Sequence, residues 1–195
     1  MTLTEVRTRV RQDLKDTDAA NYLWTDSEVD AAIQRVVSEF SLAYFKQELS
    51  EFDTTSGSKN IDISTLTNLL KVLSVEFPTD QDPPYYQHFT TWGTNIVMTS
   101  QGDGTKARIK WGKLHTLDAN STTIPIQFDE LIVMGATAYL ALSASAYNIN
   151  RATIGGKETP LNYSRWAQNR LDHYKRELKR ISLFHRVIVR EFYTE

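Results

Sequence analysis

Apolar residues recur at helical spacing in four stretches of this chain, and in the middle of the chain the period drops to two. Leu3, Val6, Val10 and Leu14 make the first helical stripe; Thr2 and Glu5 ahead of it form a capping box. Thr25 and Glu28 form a second box, flanked by Trp24 and Val29 at the spacing of a hydrophobic staple. The pattern predicts a second helix from Asp26 to about Glu51, with Val29, Ile33, Val36, Val37, Phe40 and Tyr44 on one face. Phe128, Leu131, Ile132, Gly135, Tyr139, Leu142 and Ala146 predict a third, whose small residues let another helix approach closely. A fourth opens at Thr159-Pro160 and repeats Ala167, Leu171, Tyr174, Leu178 and Ile181. On periodicity alone, Trp24, Phe40, Leu131, Tyr139, Leu171 and Leu178 should be buried together.

Between the helical halves, Ile61 and Ile63 alternate with polar neighbours, as do Leu73, Val75 and Phe77. Asn95 to Thr99 and Thr105 to Trp111 flank Ser100-Gln101-Gly102-Asp103-Gly104, which predicts a hairpin with Ala107, Ile109 and Trp111 on one side. The expected fold is mainly α with β: a four-helix bundle (1–56 and 119–184), an inserted small antiparallel β lobe (57–118) and a C-terminal extended tail (185–195). The tail reads as β-prone through Val187, Ile188, Val189, Phe192 and Tyr193.

Composition narrows the function classes. Hydrophobic residues make up 41% and charged residues 24% of 195, which is the profile of a soluble globular protein with a real core. The net charge of −2 argues against a dedicated nucleic-acid binder. Cysteine is absent, which removes disulfides, thiolate catalysis and cysteine-based metal sites. The N-terminus has no apolar run of the signal-peptide kind. Residues 131–150 carry no charge, but Gly135, Thr137, Ser143, Ser145 and Asn148 point to a helix buried in protein rather than in a membrane.

No catalytic constellation emerges. His88, His115, His173 and His185 are scattered, with no pair at ligand spacing, so neither a metal site nor a cofactor is expected. Gly155-Gly156-Lys157-Glu158 fails as a P-loop, because Arg151 stands where the first glycine belongs and Glu158 where Ser or Thr should follow the lysine. One charge concentration stands out: Arg165, Arg170, Lys175, Arg176, Lys179, Arg180, Arg186 and Arg190 against Asp172 and Glu177. It reads either as a solvated helix face or as a docking surface for an acidic partner or DNA phosphates.

Three segments in order carry a family resemblance: Arg11 to Asp16, then Asp18-Ala19-Ala20-Asn21-Tyr22-Leu23-Trp24-Thr25-Asp26-Ser27-Glu28-Val29, then Pro125 to Tyr139 opening an alanine-rich helix after an inserted β lobe. With the long charged helix and tail, the plan resembles the head–tail connector adaptor proteins of tailed bacteriophages. The resemblance implies a structural, non-enzymatic virion protein at the head–tail junction. About twelve copies would form a ring beneath the portal protein, extend the DNA channel and offer a platform to the next neck or tail protein. DNA would pass without specific binding, and no membrane would be involved. Phe184, Arg186, Val187, Ile188, Val189, Arg190, Phe192 and Tyr193 are the residues expected to bind the portal or a neighbouring subunit, by strand addition. The rival expectation is a nucleic-acid-binding module that uses the basic surface of the last helix.

Overall fold

A computed structural model describes the backbone of residues 1–148 and 159–189, and the side chains of 1–145 and 162–185. Its helices are α1 (Leu3–Leu14), α2 (Asp26–Ala43), α3 (Asp129–Asn148) and α4 (Thr159–Val189). Between α2 and α3 lie β1 (Lys46–Asp53), β2 (Asn60–Asp62), β3 (Leu69–Glu76), β4 (Phe89–Trp92), β5 (Asn95–Met98) and β6 (Lys106–Lys113). Among the described residues, 1–44 with 115–148 and 159–184 form one compact unit, and 45–114 with 185–189 form the other.

In the helical unit both capping boxes are present. Thr25 Oγ1 accepts from the Glu28 backbone N–H, while the Glu28 carboxylate accepts from the Thr25 N–H at 2.7 Å. Each reciprocal pair satisfies two backbone donors that a helix start leaves orphaned. Arg11, 5% exposed, locks the link between α1 and α2. Its Nη1 donates to Asp16 at 2.5 Å, and its Nη2 to the Trp24 carbonyl at 2.9 Å and to Asp26 at 2.8 Å. Asp16 in turn accepts from the Leu23 backbone N–H at 2.7 Å. A cation buried this deeply is tolerated only because each of these donors has an acceptor.

The core joins Val6 and Val10 of α1, Ile33, Val36 and Phe40 of α2, Leu131, Ile132 and Leu140 of α3, and Leu171, Tyr174 and Ile181 of α4. Trp24, Phe40, Leu131 and Leu171 are buried as expected; Tyr139 and Leu178 pack against the same cluster but stay partly exposed. The bare flank of Gly135 lets the Tyr174 ring lie against α3.

The sequence expectation fails at three places in the chain. First, α2 stops at Ala43 instead of near Glu51, and Lys46 to Asp53 form β1. Gln47, Leu49 and Glu51 alternate with Glu48, Ser50 and Phe52, and all eight residues pair in antiparallel register with β6, from Lys46 opposite Lys113 to Asp53 opposite Lys106. Second, β5 and β6 do not pair. The lobe holds two three-stranded antiparallel sheets, ordered β1-β6-β3 and β2-β5-β4, so the chain changes sheet between Met98 and Lys106. The segment around Ser56 prevents the hairpin: Gly57 N–H donates to the Gly102 carbonyl at 2.9 Å, and Gly102 N–H to the Ser58 carbonyl at 2.7 Å. The hairpin that forms is β4–β5, turning at Gly93 with φ +57°. Ile61, Ile96 and Met98 of one sheet and Val72, Val75, Ala107, Ile109 and Trp111 of the other share a single core.

The third difference is at the C-terminus. The residues expected to begin an extended tail, Phe184 and Arg186 to Val189, lie in α4. The helical repeat Tyr174, Leu178, Ile181 simply continues to His185, which is 5% exposed and meets Phe45 edge to face at 4.3 Å between centroids. That buried anchor carries the helix through a β-prone sequence; tertiary context outweighs propensity here.

Candidate interaction surface

α4 is amphipathic along its whole described length. Ala167, Leu171, Tyr174, Ile181 and His185 are buried and Leu178 packs beside them; Gln168, Asn169, Asp172, Lys175, Arg176, Lys179 and Arg180 are exposed. Two features stand on that outward side. The first is apolar: Leu183 is 56% and Phe184 64% exposed, just off the phase of Ile181 and His185. Lys179 and Arg180 lie one turn before them, on the same face.

The second feature is basic, and the structure sorts its cations. Arg170 bonds Asp13 across to α1, and its guanidinium also lies near the Trp166 ring at 5.5 Å. Arg180 chelates Glu177 on the same helix, at 2.7 Å from Nη2 and 3.0 Å from Nε. Arg165, Lys175, Arg176 and Lys179 have no carboxylate within 4.0 Å among the described residues. Lys175, Arg176 and Lys179, with Asn169 and Asp172, line an open depression of about 600 Å³. Asp172, the one acidic residue in it, accepts from Gln168 at 3.1 Å.

A smaller groove of about 350 Å³ is lined by Trp24, Glu28 and Ala32 near the start of α2, then Arg35, and Tyr139 and Leu140 of α3. The Arg35 guanidinium covers the Tyr139 ring at 3.8 Å, and the Tyr139 hydroxyl donates to Glu39 at 2.8 Å. Burial and the neighbouring Glu39 carboxylate raise the Tyr139 pKa above the usual phenol range. These groups satisfy one another, as a structural network does.

Of the residues expected to bind a partner, Phe184 is exposed on α4, and Arg186, Val187, Ile188 and Val189 continue that helix. Arg190, Phe192 and Tyr193 lie outside the described residues. Leu183 was missed. Its signal was available in the helical phase, because 181 and 185 continue the buried stripe and leave 183 and 184 on the other side. Among the described residues no group of three or more His, Asp or Glu side chains is placed to hold a metal ion, and no helix is long and apolar enough to cross a membrane.

No protein-family model matches the sequence, and no curated protein matches it.

Proposed function

We propose that this chain is a structural ring protein of the phage head–tail connector adaptor type, docking beneath a portal protein and receiving the next neck or tail protein. The observation that carries this reading is the pair Leu183 and Phe184. Both stay more than half exposed on a helix whose opposite face, through Tyr174, Ile181 and His185, is buried. Neighbouring exposed large apolar side chains on this helix face support a reading in which another chain packs there. The plan of a capped helical pair, an inserted β lobe and two further helices is the plan that the resemblance implies. Docking then uses a helix face instead of an added strand, since Phe184 to Val189 are helical.

Portal-containing heads lacking this protein test the reading. Wild-type chain should join them as a ring of about twelve copies visible by negative stain. Leu183→Ser with Phe184→Ser should abolish attachment with an unchanged melting temperature, because neither side chain supports the bundle. Substitution is the better test than removing residues 185–195, since that would also delete the buried His185. Failure of the wild-type chain to join heads would sink the reading, and so would attachment of the double variant at wild-type level.

A further inference from the structure

We infer that the outward face of α4 between Arg165 and Lys179 is a contact surface for the phosphate backbone of duplex DNA. The net charge of the chain hides it. Between Arg165 and Arg180 there are six Lys and Arg against Asp172 and Glu177, while the whole chain carries −2. Two of those cations are consumed internally, Arg170 by Asp13 and Arg180 by Glu177. Arg165, Lys175, Arg176 and Lys179 are left without a carboxylate partner among the described residues, all on exposed positions of one helix.

Their spacing suits a polyanion. Arg165 to Lys179 spans about 21 Å of straight helix at ~1.5 Å per residue. Over that length a duplex presents about twelve phosphate charges. Gln168 and Asn169 add neutral donors beside the cations, of the kind that position a protein on phosphates and sugars.

An acidic protein fits the same face less well. A protein interface draws its affinity from buried apolar or aromatic anchors. Within Arg165 to Arg180 the exposed aromatic is Trp166, 39% exposed and set against the Arg170 guanidinium, and from Gln168 onward every exposed side chain is polar or charged: Gln168, Asn169, Asp172, His173, and the four cations Lys175, Arg176, Lys179 and Arg180. The apolar pair Leu183 and Phe184 begins only beyond this stretch. With no base-reading element on this face among the described residues, binding would be independent of sequence and weak at physiological salt. The inference stands apart from the ring reading, because the isolated chain should show it.

Fluorescence anisotropy of a labelled mixed-sequence duplex tests it. Four phosphate contacts predict a slope of about −3.6 in log K against log salt, or roughly a hundredfold loss between ~50 and ~200 mM. Lys175→Gln/Arg176→Gln/Lys179→Gln should reduce the slope to about −0.9, and Arg165→Gln/Lys179→Gln to about −1.8. All these positions are exposed, so both variants should melt like the wild type. Lys59→Gln/Lys71→Gln removes two exposed cations of the β lobe and should leave the slope unchanged. Wild-type chain that shows no salt-dependent binding overturns the inference. Equal slopes for wild type and the triple variant do the same, as does an equal loss in the β-lobe control. If sedimentation shows that the triple variant loses self-association while DNA binding is untouched, the face belongs to a second copy and the inference is wrong.

Discussion

The Tyr174 ring occupies the space that a side chain on Gly135 would need. A Cβ built on Gly135 would stand 2.9 Å from Tyr174 Cε2 and 3.0 Å from Val36 Cγ1. Tyr174 is fully buried and donates from its hydroxyl to the Val36 carbonyl at 3.2 Å, so the ring has nowhere to retreat. Gly135→Ala therefore sets two effects against each other. Helix propensity favours alanine by up to about 1 kcal/mol. Overpacking a tight core costs about 1–3 kcal/mol. The clash should win, lowering stability by about 1–2 kcal/mol in denaturant melts. A stabilised variant would show that α3 and α4 can separate freely.

The same tyrosine sets an alkaline limit. Burial raises the Tyr174 pKa far above the usual phenol range, and the Glu39 carboxylate adds to it. A group whose folded pKa is raised supports the fold fully below its unfolded pKa of about 10, and that support is lost as pH climbs towards the folded value. Stability should hold up to about pH 10 and fall beyond it. Tyr174→Phe should be less stable at neutral pH, having lost the hydroxyl's bond to the Val36 carbonyl, yet should fall less steeply above pH 10. Parallel alkaline curves for both proteins would remove Tyr174 from the account.

The bundle was legible from sequence because its signals are local. Thr2 with Glu5 and Thr25 with Glu28 are caps set by spacing alone, and the stripes through Ile33, Leu131 and Leu171 follow one period. What failed depended on pairing across distance. Lys46 to Asp53 carry too many charges to announce a strand, and only the facing β6 makes them one. The sequence around Gly102 has the residues of a hairpin turn, but Gly57 and Ser58 take up its backbone groups first. The candidate surface was half legible: its cations were visible in sequence, but which of them Asp13 and Glu177 neutralise is a matter of three-dimensional contact.

Arg11 and Asp16 give a separable test of the α1–α2 link. Both side chains are 6% exposed, and Asp16 also holds the Leu23 backbone N–H. Removing Arg11 strands the buried Asp16 carboxylate, so Arg11→Leu should cost about 3–5 kcal/mol, whereas Asp16→Ala leaves Arg11 its Asp26 partner and should cost less. Replacing both partners removes the stranded charge. Arg11→Leu/Asp16→Ala should therefore lose clearly less than the sum of the two single variants. Strict additivity in urea melts would mean that the pair contributes nothing as a pair.

Gly102 offers the means to ask whether the β lobe unfolds on its own. A Cβ there would come within 2.7 Å of Thr54 Cβ and 2.8 Å of the Thr55 carbonyl oxygen, and the second of these is backbone that cannot rotate away. Gly102→Ala should cost about 1–3 kcal/mol, all of it inside the lobe. Each unit has its own hydrophobic cluster, one centred on Phe40 and Tyr174, the other on Ile96 and Ile109. Such units open separately when few stabilising contacts are shared. Native-state hydrogen exchange should then show β5 and β6 amides losing protection by the full cost of the substitution, with α2 and α3 amides unchanged. An equal loss in both sets would mean that the two clusters melt as one cooperative core. In that case the lobe could not be exchanged for a short linker without losing the helices.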